Sequence, residues 1–89
     1  MTMADWETVL DWIRNETTPP TDVASMAPIL PDGKLRGTRS AASLYAEARR
    51  AKARGDRDEA FEWLLFAKYH DPDAQSVLRA HREDVLNAI

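Results

Sequence analysis

Residues 44–72 read LYAEARRAKARGDRDEAFEWLLFAKYHDP, two helical stretches meeting at a tight corner, GDRDEA at 55–60. In the first, Ala41, Leu44, Tyr45, Ala48 and Ala51 recur at helical spacing and form one small-residue face, with Arg49, Arg50 and Arg54 elsewhere on the wheel. Ser40 or Thr38 suits the start of this helix, predicted over 40–54, and Gly55 supplies its left-handed stop. Asp56 followed three residues later by Glu59 is a capping box, opening a helix predicted over 57–70. This helix is apolar nearly all round: Ala60, Trp63, Leu64 and Ala67 on one side, Phe61, Leu65 and Tyr69 on another, Phe66 between them. A helix with no wide polar face belongs at the centre of a domain.

The flanks extend the same pattern. Asp71 as N-cap with Pro72 at the first position starts a last helix, predicted over 72–88, whose stripe is Ala74, Val77, Leu78, Val85 and Ile89. His81 falls in the middle of that stripe, where a core or interface histidine is expected to share its ring N–H with a carbonyl or carboxylate. Upstream, a helix over 3–15 is predicted with Thr2 as N-cap and Met3, Trp6, Val9, Leu10 and Ile13 as its core stripe. Trp12 lies about 120° from the centre of that stripe on a 100° wheel, so a second surface must cover it or a partner must. Residues 16–39 hold four of the five prolines and two of the three glycines and are read as connector. Within it, Ile29 to Leu35 carries Pro-Asp-Gly turn chemistry compatible with a short β-hairpin near 29–36. Met26, Ile29, Leu30 and Leu35 either fold back over the helices or form a partner-binding arm.

The span 41–73 resembles a single tetratricopeptide repeat. Ala48, the Gly55-Asp56 corner, Ala60, Ala67 and Pro72 stand at the family's packing positions, whereas Leu44, Glu47, Ala51 and Leu64 depart from its usual residues. No second repeat follows, and the last helix reads as a solvating cap. The resemblance implies protein or peptide binding and carries no catalytic residue. The expected architecture is all-α: a small four-helix domain in one unit over 1–89, with a repeat-like helix pair, a capping C-terminal helix and the connector.

Composition narrows the function classes. A chain of 89 residues makes one domain and buries only about 60 to 65% of its unfolded surface. It has no cysteine, so disulfides, thiolate metal sites and cysteine nucleophiles are excluded. The acidic start, with Asp5, Glu7 and Asp11, argues against a signal peptide, and no apolar run reaches the length of a membrane span, which points to a cytoplasmic protein. There is no Gly-rich phosphate loop, no nucleophile elbow and no His-Glu-x-x-His pair, and His70 with Asp71 and Asp73 gives no closed metal set. Neither an enzyme, a cofactor nor a metal is expected.

Charge is segregated: residues 1–33 carry −5, residues 34–57 carry +6 and residues 58–89 carry −4, within a net charge of −3. The leading reading is a non-enzymatic interaction module, an adaptor, regulator or inhibitor, that binds a protein partner or itself. Trp12, Ile29, Leu30 and Phe66 are its candidate contact residues. The alternative is nucleic-acid or phosphate binding through Lys34, Arg36, Arg39, Arg49, Arg50, Lys52, Arg54 and Arg57. Acidic flanks, and the lack of an aromatic base-stacking platform among those arginines, weigh against it. The Ala/Arg/Asp-rich style also suits small phage or mobile-element products that inhibit host machinery.

Overall fold

The corner at Arg54, Gly55 and Asp56 is built from overlapping signals in a few residues. A computed structural model describes residues 5–17, 33, 40–69 and 71–89, and it is all-α. The helices among the described residues are α1 (Trp6–Arg14), α2 (Ala41–Ala53), α3 (Arg57–Ala67), α4 (Pro72–Ala80) and α5 (Arg82–Ala88). Ser40 caps α2 by accepting from the Ser43 amide at 3.2 Å. At its other end Gly55 takes φ +88°, which frees its amide for the Lys52 carbonyl at 2.9 Å and the Asp56 amide for the Ala51 carbonyl at 3.0 Å. This paired arrangement satisfies carbonyls that a helix end otherwise leaves open. Asp56 then caps α3 through the Glu59 amide at 3.0 Å, so one residue closes one helix and opens the next.

The faces meet as the periodicity predicts. Leu44, Tyr45, Ala48 and Ala51 of α2 and Ala60, Trp63, Leu64 and Ala67 of α3 are all buried. Alanines on both sides let the two backbones approach closely, and α2 with α3 forms the most extensive helix contact. α1 lies against α4 and α5, and α5 packs on α3 and α4. Val9, Ile13, Leu78, Val85 and Leu86 complete a single core.

Three boundaries differ from expectation. α1 is capped by Asp5, whose carboxylate accepts from the Thr8 amide at 2.8 Å, and begins at Trp6, not at Met3 after a Thr2 cap. That backbone hydrogen bond also holds the Asp5 carboxyl below the usual carboxylate range. α3 ends at Ala67, with Lys68 as its C-cap. The predicted last helix is two, because the chain leaves helical geometry at His81 (φ −119°, ψ 34°). There the His81 ring stacks on Trp6 of α1, centroids 4.3 Å apart and 16° from parallel. Its Nδ1 sits 3.9 Å from the Asp84 carboxylate. Beyond the break, Val85 and Leu86 of α5 are both buried in the core.

Of the predicted connector, Glu16, Thr17 and Gly33 are described; Gly33 has φ +83°, the conformation a Pro-Asp-Gly turn asks of its glycine. Met26, Ile29, Leu30, Leu35 and the hairpin near 29–36 lie outside the described residues.

Candidate functional site: an apolar groove beside a buried lysine

The outer face of α3 is the feature that the core does not absorb. Leu65 and Phe66 are half-buried and Tyr69 is 37% exposed, the one large hydrophobic residue among those described to be classed as exposed. Glu62, Leu65 and Phe66 follow at helical spacing of three and four, so they share one side of α3, and Tyr69, in the turn just past its C-cap, continues that side. Phe66 and Tyr69 stack with centroids 6.2 Å apart. Opposite them, Gln75 and Arg79 rise from α4, and the residues together line a groove of about 400 Å³. The walls are tied in the middle by the Gln75 side chain, which donates to the Leu65 carbonyl at 2.9 Å. Phe66, named from the sequence as a contact residue, is therefore in the groove.

Trp12, the other named aromatic, has a different setting. It packs half-buried against the core, and the Lys68 ammonium stands 5.1 Å from its ring centroid. Lys68 is fully enclosed. Its Nζ is also 5.4 Å from the Tyr45 ring and donates to the Thr17 carbonyl, which accepts the Tyr45 hydroxyl as well, at 3.0 Å. Burial lowers the Lys68 pKa from 10.5 to about 7, with Asp71 pulling the other way. Burial, and then the Glu16 carboxylate, push the Tyr45 hydroxyl up. A neutral amine near pH 7 is a nucleophile in principle, yet this one is shut off from solvent and committed to a carbonyl and two rings. Its work is to fasten the end of α1 to α2 and α3. Sequence reading passed over Lys68. The available signal was a cation four residues after Leu64, on a face of α3 that is otherwise buried.

The basic stretch is largely neutralised within the fold. Arg49 pairs with Glu16, Arg50 with Glu47, Arg54 with Glu59 and Arg57 with Glu83, the last at 2.7 Å. Lys52 donates to the Ile89 carbonyl at 2.7 Å. Arg82 pairs with Asp58 and lies 5.0 Å over the Phe61 ring, joining α5 to α3. Lys34, Arg36 and Arg39 lie outside the described residues. Within those residues no group of three or more His, Asp or Glu is placed to hold a metal ion, and no helix is long and apolar enough to cross a membrane.

No family model, curated protein or solved structure matches the chain.

Proposed function

We propose that this chain is a non-enzymatic protein-binding module that receives a protein surface in the α3–α4 groove. The observation carrying this reading is the alignment of Leu65, Phe66 and Tyr69 along an open, apolar groove, with Tyr69 the exposed large hydrophobic residue among those described. An accessible apolar patch with a polar rim is the usual mark of an interaction site. Aromatic side chains supply much of the binding energy at such sites, because they bury large area at low entropic cost. The likeness of residues 41–73 to a tetratricopeptide repeat supports the same class. The neutralised arginines favour it over an anion surface, since a paired guanidinium must give up its carboxylate before it can hold a phosphate.

The test is capture from a lysate of the source cell with the immobilised wild type, Tyr69→Asp and Arg50→Glu. A protein retained by the wild type and by Arg50→Glu, and lost with Tyr69→Asp at unchanged helicity, is the expected result. Equal capture by all three removes the groove from the account. Nucleic acid released by salt and lost only with Arg50→Glu replaces the proposal with the anion reading.

A further inference from the structure

The rim of the groove says what fits it. Of the lysines and arginines among the described residues, five are in ion pairs and two donate to backbone carbonyls. Arg14 and Arg79 alone do neither with another described residue. Arg14 is on the exposed end of α1, whereas Arg79 lines the groove. Glu62, on the facing wall, likewise has no ion-pair partner among the described residues, and the two do not pair with each other. The Gln75–Leu65 hydrogen bond fixes their places. Glu62 is one turn beyond Leu65 along α3 and Arg79 one turn beyond Gln75 along α4, both on the side away from the Lys68–Asp71 corner. A negative charge thus marks one wall and a positive charge the other, at one level, with the apolar stripe between that level and the corner.

That layout is self-complementary. A two-fold axis running along the groove exchanges the walls, so it brings Glu62 of each copy opposite Arg79 of the other and makes two ion pairs from one operation. The same rotation faces the Leu65, Phe66 and Tyr69 stripe of each copy into the other's groove. An unrelated partner would have to present a base and an acid at the mirrored positions beside an apolar ridge, which is the surface this chain already carries. Resting on the protein-binding reading above, we infer that the occupant of the groove is a second copy of this chain, in an isologous dimer closed by reciprocal Glu62–Arg79 pairs. The patch is small, so the dimer belongs at the weak end of specific interfaces.

Sedimentation of the full chain from about 10 µM to 1 mM, a range that brackets such a weak association, measures it directly, with Glu62→Arg and Arg79→Glu as probes. The wild type should shift toward twice its 10.1 kDa mass as concentration rises. Each single variant places like charges opposite each other twice and should weaken self-association at least about tenfold, a cost of about 1.4 kcal/mol. An equimolar mixture of the two variants restores both pairs between unlike chains and should associate as the wild type does. A wild type that stays monomeric overturns the inference. So do single variants that dimerise normally, or a mixture that fails to recover although circular dichroism shows both chains folded. Should a variant not fold, Glu62→Gln with Arg79→Gln replaces it, and undiminished association of that chain counts against the reciprocal pairs. A monomeric wild type whose capture of another protein is lost with Tyr69→Asp sinks the dimer and leaves the binding module standing. Monomer behaviour with capture indifferent to Tyr69→Asp sinks both.

Discussion

Replacing Lys68 with methionine should make the domain more stable at neutral and acid pH and remove most of its alkaline gain in stability. The side chain is enclosed, and its pKa falls from 10.5 to about 7 on folding. Between those values the unfolded chain holds a proton on Lys68 that the folded chain does not, so stability rises with pH across this window. Below about pH 7 both states are protonated and the burial penalty is fully present. At about 1.4 kcal/mol per unit the full shift corresponds to roughly 4 to 5 kcal/mol. Titration is incomplete at both ends of the window, so the expected gain between pH 7 and 10 is about 3 to 4 kcal/mol. Above pH 10 Tyr45 turns the curve over, since its hydroxyl stays protonated in the fold while the unfolded tyrosine ionises. Methionine keeps the length and apolar volume of the lysine stem, and the Thr17 carbonyl retains the Tyr45 hydroxyl, so no buried acceptor is orphaned. Urea unfolding of wild type and Lys68→Met at pH 6, 8 and 10, followed by circular dichroism, should place the variant about 1 to 3 kcal/mol above the wild type at pH 6, with the gap closing by pH 10. A wild type with flat stability from pH 7 to 10, or a variant less stable at pH 6, would refute the account of Lys68 as a cation buried at a cost.

Two further outcomes test the scaffold. Leu64→Ala, at a fully buried position on α3, should lose about 2 to 5 kcal/mol in chemical denaturation, a large fraction of what so small a domain has. Gly55→Ala meets no steric neighbour within 4 Å, yet forces φ +88° on an L-residue, so a loss of about 1 to 2 kcal/mol should come from backbone strain alone; an unchanged midpoint would show that the corner relaxes.

The parts of the fold that were legible in the sequence are those written in local repeats. Leu44, Tyr45, Ala48 and Ala51 on α2, and Trp63 and Leu64 on α3, sit on the faces that their spacing dictates. The corner residues Gly55 and Asp56 act as their chemistry requires. What spacing cannot report is contact between distant segments. The helix break at His81 has no glycine or proline to announce it and coincides with a stack on Trp6, far off in sequence. Arg50–Glu47 is a pair three residues apart, readable on a wheel, whereas Arg49–Glu16 joins α2 to the turn after α1 and Arg57–Glu83 joins α3 to α5. The burial of Lys68 requires Trp12 and Tyr45 to arrive from two other helices, so its spacing from Leu64 hints at the buried face without showing what encloses the ammonium. Phe66 lines the groove because it sits on a helix with more apolar surface than one core takes up. Nothing in the spacing singles out Glu62 and Arg79, since an unpaired charge is conspicuous only once its neighbours are seen to be paired.

The double use of Asp56 bears on the order in which the chain folds. Its amide closes α2 and its carboxylate opens α3, so the α2–α3 hairpin can form from contacts within some thirty residues, and loop closure for such local contacts costs little. α1 has no such neighbour: the Tyr45 and Lys68 hydrogen bonds to Thr17 span 28 and 51 residues. The hairpin is therefore the natural folding nucleus, and α1 docks on a partly built structure. Native-state hydrogen exchange should record this as two steps, with the amides of α1 opening at lower free energy than those of α2 and α3. Folding rates should respond to substitutions at the corner and be nearly indifferent to those at Val9 and Ile13, whose effect belongs to unfolding.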